Sequence, residues 1–136
     1  LRYRVHQENA GRVAGFLSER SEVAEVIYPG LFQNAADRKR NRKYLETGNG
    51  PLVGFELKGG KQAGQKFIDN LQMVYHVANI GDARTLAINP ASTTHSQLSA
   101  IDQEKTGVTP GYVRLSVGLE HIDDILEDLT QALEKT

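Results

Sequence analysis

The sequence predicts an α+β fold of two layers, in which a mainly antiparallel sheet carries helices on one face. Apolar residues recur with helical spacing near both ends of the chain, and several short runs between them are rich in β-branched residues. Some consecutive runs have no helix between them, whereas parallel strands need a long crossover connection. An antiparallel or mixed sheet with helices packed on one face is therefore favoured.

The first predicted helix covers residues 5–19 and is followed by a strand. The small and apolar residues of this segment are Ala10, Val13, Ala14 and Leu17. They fall at i, i+3, i+4 and i+7, which places them on one helix face. A strand is predicted from Val23 to Tyr28, where β-branched residues are frequent, and it ends at Pro29-Gly30 because this pair favours a turn.

The middle of the chain is predicted to alternate between short helices and strands. Residues 35–46 contain a basic run from Arg38 to Lys43 and are expected to form a short, solvated helix. A strand over residues 51–57 leads into a helix, and two short strands follow over residues 74–78 and 85–88. The apolar face of that helix comprises Ala63, Phe67, Ile68 and Leu71.

The last strand is predicted where apolar and polar residues alternate from Tyr112 to Val117. The apolar members are Val113, Leu115 and Val117. A period of two residues is typical of a strand with one buried face, so Arg114 is expected to point away from the core.

The last helix has the most regular apolar stripe of the chain. The stripe consists of Ile122, Ile125, Leu126, Leu129, Ala132 and Leu133. Asp123 and Asp124 lie in the predicted first turn, where negative charge complements the helix dipole. This helix is expected to pack on the sheet.

Size and composition fit one globular domain covering residues 1–136. The formal net charge is −1, from 16 basic and 17 acidic residues, so binding to nucleic acid or to a membrane surface is not expected. The chain has no cysteine, which excludes disulfides and a thiol nucleophile, and a cytoplasmic setting is expected. Because the chain starts at Leu1 and enters a helical pattern directly, we expect it to be part of a longer protein.

Several motifs admit a functional and a structural interpretation, and the structural one is favoured for each. Gly59-Gly60-Lys61 could form a phosphate cradle, but the Walker spacing is missing and a tight turn is expected. The basic run could contact an anion, yet a solvated helix face is more typical. The four histidines lack ligand spacing, so no metal site is predicted. The hydroxyl run at residues 92–95 is more typical of a helix cap than of a nucleophile and base.

Arg114 also admits two interpretations from the sequence alone. It could be a solvent-facing partner of a carboxylate on the protein. Its planar guanidinium could instead bind a substrate carboxylate through two parallel hydrogen bonds, as an enzyme acting on amino acids requires, but without further context the first interpretation is favoured.

Four stretches of the chain together form a recognisable signature: residues 79–83, 89–95, 107–108 and 114–120. They closely resemble the C-terminal signature of the Cys/Met-metabolism enzymes that depend on pyridoxal 5′-phosphate (PLP). Their order and spacing match the family signature. Upstream, residues 8–17, 28–30 and 55–60 extend the resemblance over essentially the whole chain.

The resemblance implies a substrate-binding role for three residues. Arg114 is expected to bind the α-carboxylate of the amino-acid substrate, with Asn79 and Thr94 lining the same pocket. Asn89 departs from the family pattern, because histidine is frequent at that position.

The resemblance further implies that the chain is the small C-terminal domain of a fold-type I enzyme. The lysine and the other PLP-binding groups are expected on an N-terminal large domain that is absent from this chain. No catalytic, cofactor-binding or metal-binding residue is therefore assigned here, and the fragment alone is expected to be inactive and to bind no PLP. The expected partners are that PLP domain and further copies in a homotetramer.

Within the family, the chain is most similar to the O-acetylhomoserine sulfhydrylases. The similarity depends on Asn79 in place of serine, on residues 58–60 and on residues 92–98. The reaction implied is γ-replacement, in which sulfide or a thiol displaces acetate from O-acetylhomoserine to give homocysteine or methionine. Cystathionine γ-synthase, a γ-lyase, and a free-standing α+β binding module without chemistry stay open as alternatives.

Overall fold

The computed structural model describes residues 1–93, 102 and 108–136. The helices of this part are α1 (Arg2–Ser18), α2 (Ala35–Tyr44), α3 (Gly60–Asn70) and α4 (Ile122–Leu133). The strands are β1 (Val23–Ile27), β2 (Leu52–Leu57), β3 (Tyr75–His76), β4 (Leu86–Ile88) and β5 (Tyr112–Ser116). Short 3₁₀ helices cover Pro29–Leu31 and Pro90–Ser92.

The strands form one sheet in the order β1-β2-β5-β4-β3. The pairs β1–β2, β2–β5 and β5–β4 are antiparallel, and the short pair β3–β4 is the one parallel pair among the described residues. Strand β5 therefore lies at the centre of the sheet, with β2 on one side and β4 on the other. The predicted α+β fold with a mainly antiparallel sheet is confirmed.

One core joins the sheet to the three helices α1, α3 and α4. The sheet contributes fully buried side chains from alternate positions of β2 and β5, and the predicted stripes of the helices face them. The rings of Phe55 in β2 and Phe67 in α3 meet edge to face, with centroids 5.4 Å apart. Helix α2 has no buried residue. This agrees with the short, solvated helix that its basic run predicts.

Three elements differ from the sequence prediction. Helix α3 ends at Asn70, so Leu71 lies beyond it in an extended conformation. Strand β3 is two residues long instead of five, because the amide of Val77 turns back to the carbonyl of Tyr75. The two-residue period of β5 predicts Ser116 on the same face as Arg114, away from the core, yet it is buried. A polar loop that follows β3 covers that end of the second face and contacts Ser116.

Asp128 is a buried carboxylate that the amphipathic pattern of α4 did not reveal. Its Oδ1 accepts a hydrogen bond from the amide of Gln72 (2.9 Å), and its Oδ2 accepts from the amides of Met73 (2.9 Å) and Val74 (2.8 Å). One side chain therefore satisfies three amides in the segment between α3 and β3. This charge-assisted contact fixes the position of that segment against α4.

We predict that Leu129→Ala lowers the free energy of unfolding of the chain by about 2–5 kcal/mol, because it leaves a cavity in a packed core. Leu129 is fully buried in α4. Denaturant titration would measure the effect, with Leu126→Ala as the matched control because Leu126 lies on the same helix and is only partly buried. Equal losses for the two variants would contradict the packing described here.

We also predict that Asp128→Asn destabilises the chain by about 1–3 kcal/mol, because the amide nitrogen that replaces one carboxylate oxygen is itself a donor and would leave at least one of the three backbone amides without an acceptor. The control is Asp124→Asn, an exposed carboxylate of the same helix that should cost less than about 1 kcal/mol. Thermal and urea denaturation of both variants would measure the difference. A fully stable Asp128→Asn variant would show that the three amide contacts contribute little.

Candidate functional site

Arg114 lies in the middle of the central strand, on the face opposite the helices. Its strand neighbours are Gly54 in β2 and Ile88 in β4. Gly54 has no side chain, and the ring of Tyr112 occupies the free space, since a Cβ at Gly54 would lie 2.5 Å from Tyr112 Oη. The prediction that Arg114 points away from the core agrees with this register.

The guanidinium of Arg114 is only partly committed to the protein. Its Nη2 donates to the backbone carbonyl of Asn79 at 3.3 Å. Its Nε is buried and has no hydrogen-bond partner within the described residues. No carboxylate in this part of the chain forms an ion pair with it.

Arg20 provides a useful comparison within the same chain. Its Nε is also buried without a partner, but its Nη2 contacts Glu22 Oε1 at 2.9 Å. The charge of Arg20 is thus neutralised by a neighbouring carboxylate. Arg114 keeps its charge and donors available for an external anion, and a guanidinium binds carboxylates in a planar, two-bond geometry.

Burial raises the pKa of Tyr112, and the positive charge of Arg114 opposes this shift. The net effect keeps the pKa of the phenol above its ordinary value. Tyr112 therefore stays neutral at physiological pH and adds no negative charge that could neutralise Arg114.

Asn79 lies beside Arg114, as predicted, but the contact uses its backbone. The side-chain Oδ1 of Asn79 accepts from the amide of Ile80 at 2.9 Å, and the residue is exposed. Thr94, the third predicted pocket residue, lies outside the described residues. The structure thus brings two of the three predicted residues together.

The segment from Asn79 to Thr85, called the 79–85 loop below, is attached to β5 and the residues after it by polar contacts. The amide of Gly81 donates to Ser116 Oγ (3.1 Å), and the amide of Leu119 donates to the carbonyl of Ala83 (2.7 Å).

The C-terminal end of the loop is fixed by two side chains, those of the buried Thr85 and the half-buried Glu120. The amide and hydroxyl of Thr85 donate to the two carboxylate oxygens of Glu120 at 2.6 and 2.8 Å. The Oγ1 of Thr85 also accepts from the amide of Gly118 at 2.9 Å. Thr85 is thereby hydrogen-bonded to Gly118 and to Glu120, which both belong to the segment that follows β5.

A cavity of about 440 Å³ opens beside the loop. Its lining residues are Arg2, Tyr3, His6, Pro51, Leu52, Ile80 and Gly81. His6 is buried there, and its Nδ1 donates to the carbonyl of Val117 at 2.7 Å. The cavity shares Ile80 and Gly81 with the loop that contacts Arg114, so the two features form one continuous surface.

The other motifs have structural roles in the described part of the chain. Gly59-Gly60 forms the turn between β2 and α3, and Lys58 Nζ donates to the carbonyl of Ser21 at 2.6 Å. The hydroxyls of Ser92 and Thr93 both donate to the carbonyl of Asn89, so they satisfy a backbone group and do not cap the 3₁₀ helix, while residues 94 and 95 of the hydroxyl run lie outside the described residues.

Asn89, where the family frequently has histidine, is fully buried and links two segments. Its Nδ2 donates to the carbonyls of Pro110 (3.2 Å) and Tyr112 (2.8 Å), while its Oδ1 accepts from the amide of Ser92. Asn89 thus joins the second 3₁₀ helix to the start of β5.

Residues 1–93, 102 and 108–136 contain neither a metal-binding cluster nor a membrane-spanning helix. The histidine and acidic side chains there do not gather into a group that could hold a metal ion. None of the helices in the same residues combines the length and apolarity needed to cross a bilayer.

Sequence reasoning missed the contributions of Ser116, Thr85 and Glu120. Ser116 and Glu120 belong to the stretch 114–120 that carries the family resemblance, so a signal was present. The periodicity of the strand placed Ser116 on an exposed face, however, and it could not show that a loop lies over it.

Comparison with family models matches residues 1–134 to the Cys/Met metabolism PLP-dependent enzymes. An O-acetyl-L-homoserine sulfhydrylase from Leptospira meyeri is 54% identical over 98% of the chain. An L-methionine γ-lyase from Fusobacterium nucleatum subsp. polymorphum is 39% identical over 99% of the chain. The chain spans only 30% and 34% of the lengths of these two relatives.

A solved structure has the same fold over almost the whole chain. It is a crystal structure of a Campylobacter jejuni protein described as an O-acetylhomoserine (thiol)-lyase, with N′-pyridoxyl-lysine-5′-monophosphate. The TM-score is 0.88 at 39% sequence identity, and the match covers 98% of this chain and 31% of the other. The resemblance stated from the sequence motifs is therefore confirmed at the level of the family and of the fold.

Proposed function

Because the chain belongs to the family of Cys/Met-metabolism PLP-dependent enzymes, we propose that it is the small C-terminal domain of an O-acetylhomoserine sulfhydrylase and that it binds the substrate's α-carboxylate. The sulfhydrylase from Leptospira meyeri is 54% identical to the chain, whereas the methionine γ-lyase is 39% identical, which favours the sulfhydrylase. The reaction would be the displacement of acetate from O-acetylhomoserine by sulfide or a thiol.

The observation that carries the proposal is the uncommitted guanidinium of Arg114. A buried donor without a partner costs free energy, so such a group in a folded protein needs an explanation, and for an arginine without a carboxylate partner an external acceptor is one. Arg114 has a buried free Nε and one weak contact to a carbonyl, and no carboxylate of the described chain pairs with it. A substrate carboxylate would supply a compensating negative charge and two acceptor oxygens for the guanidinium.

The position of Arg114 on the sheet also suits this role. A residue on a central strand has a fixed direction, and a planar pair of hydrogen bonds then fixes the orientation of the bound amino acid. Asn79 lies at the same point and would form part of the pocket wall. Thr94 stays a prediction for the same pocket.

The described residues do not fit PLP itself. Lys58 donates to the carbonyl of Ser21, and Lys61 and Lys66 are exposed on α3, so none of these is a buried amine that could hold the cofactor. The Gly59-Gly60 turn is a connection between β2 and α3 and not an anion cradle. In our proposal PLP is bound by an N-terminal large domain, and it supplies the electron sink for the chemistry.

The length comparison supports the proposed partners. The chain spans about a third of its relatives, which leaves room for a domain larger than this one in the complete protein. The surface formed by Arg114, the 79–85 loop and the cavity near Arg2 and His6 would face that domain. The complete enzyme is expected to be a homotetramer.

A γ-lyase is the second candidate, and the 39% identity to a methionine γ-lyase is the observation that favours it. Both enzymes would bind an α-carboxylate, so Arg114 would have the same role. Product analysis of the complete enzyme separates them, because the sulfhydrylase consumes thiol and releases acetate, whereas the lyase releases ammonia and an α-keto acid without needing a thiol.

We predict that Arg114→Lys in the complete enzyme lowers kcat/KM for O-acetylhomoserine by about one to three orders of magnitude, since a lysine keeps the charge but loses the planar pair of bonds. Arg114→Ala should lower it further. Steady-state kinetics would measure both, together with the carboxylate preference, defined as the ratio of the inhibition constants of L-homoserine amide and L-homoserine. Arg114→Ala should abolish this preference.

Arg20→Ala is the matched control, because Arg20 has the same buried Nε but already pairs with Glu22. It should keep the wild-type carboxylate preference. If Arg114→Ala keeps that preference and a near-wild-type kcat/KM, then Arg114 does not bind the substrate carboxylate.

We further predict that residues 1–136 alone form no covalent adduct with PLP. Titration with PLP, borohydride reduction and intact-mass measurement would detect a pyridoxyl-lysine at a single site. Stoichiometric labelling of one lysine at low PLP concentration would contradict the assignment of the cofactor to a separate domain, whereas scattered, weak labelling of exposed lysines is the expected background.

A further inference from the structure

Ser116 and Arg114 point to the same side of β5, two residues apart, and the 79–85 loop contacts both. Arg114 Nη2 donates to the carbonyl of Asn79 (3.3 Å), and Ser116 Oγ accepts from the amide of Gly81 (3.1 Å). The spacing is two residues on the strand and two residues on the loop. The loop is therefore aligned with the strand by two contacts, of which one involves the guanidinium itself.

The loop has little else to hold it over Arg114. Residues 79–81 are exposed, and Ile80 is 54% exposed, so apolar packing contributes little there. Gly81 has φ of +77°, a conformation that fixes a sharp change of direction and that glycine adopts without strain. The hydroxyl of Ser116 is the hydrogen-bond partner of the Gly81 amide and is itself 1% exposed.

From these contacts we infer that Ser116 is a positioning residue, which fixes the carbonyl of Asn79 and through it the orientation of the Arg114 guanidinium. The inference rests on the proposed function of Arg114. It assigns an indirect role to a buried residue, which would act through Arg114. Thr85 and Glu120 support the same loop from its other end.

The physical basis is the weakness of the direct contact to Arg114. A single hydrogen bond of 3.3 Å to one nitrogen leaves the plane of the guanidinium free to rotate unless the acceptor is fixed. When Ser116 loses its hydroxyl, the Gly81 amide loses its acceptor and the loop can move. A displacement on the order of 1 Å at a substrate-positioning group can change rates by about a hundredfold.

The test uses the complete enzyme and the carboxylate preference defined above. We expect Ser116→Ala to lower the preference by about tenfold to a hundredfold, mainly through weaker binding of L-homoserine. Ser116→Thr, which keeps the hydroxyl, should recover most of it. In the Arg114→Ala background, Ser116→Ala should have no additional effect, because the two residues act through one group.

Asp128→Asn is the control for general loss of stability, because Asp128 is buried but fixes the segment at residues 72–74 instead of the 79–85 loop. It should keep the wild-type preference. If Ser116→Ala does not give a folded enzyme, Thr85→Val provides the same comparison, since it removes the hydroxyl bonded to Glu120 and to the Gly118 amide.

The outcomes separate this inference from the proposed function. A wild-type preference in Ser116→Ala, or an equal weakening of both inhibitors, would overturn the positioning role while the loss of preference in Arg114→Ala still supports carboxylate binding. Additive effects of Ser116→Ala and Arg114→Ala would also overturn it. A wild-type preference in Arg114→Ala would overturn the proposed function and the positioning role together.

Discussion

The register of β5 is the constraint on which the arrangement of the site depends. Val113, Leu115 and Val117 must enter the core with the helices, and the two-residue period of a strand then sends Arg114 and Ser116 to the opposite side. A shift of one residue would bury the guanidinium in the core, so the hydrophobic pattern strongly selects the observed pairing. Strand β5 is central and pairs on both sides, so its register also determines that Gly54 and Ile88 are the neighbours of Arg114.

The two faces of β5 are stabilised by different kinds of interaction. The helix-covered face is packed with apolar side chains and is a single core. The other face is covered in part by the 79–85 loop, which is attached through polar contacts to Ser116, Leu119 and Glu120. Packing therefore determines where Arg114 is, and hydrogen bonds determine how its immediate surroundings are arranged.

The sequence allowed the parts that depend on repeated patterns to be predicted. The period of β5 indicated the direction of Arg114, and the stripe of α4 indicated its packing, because many residues contribute to each pattern. Ser116 and Asp128 were missed because the role of each depends on hydrogen bonds to a segment distant in sequence. Ser116 meets Gly81, and Asp128 meets residues 72–74, and no local pattern encodes such pairings.

Under the proposed function, Arg114 is a residue for which the fold gives up stability in favour of ligand binding. Leaving a buried Nε without an acceptor costs the isolated domain roughly 1–3 kcal/mol, and an apolar or shorter side chain would avoid that cost. Arg20 shows that the same chain can neutralise a half-buried guanidinium with a neighbouring carboxylate, Glu22. No such partner accompanies Arg114 among the described residues, although Glu56 and Glu120 occur nearby in the fold and are committed to amides and hydroxyls elsewhere. Departures of this kind from a locally optimal arrangement concentrate at functional sites. In the proposed function, an external carboxylate would gain from a guanidinium that the fold has already partly desolvated.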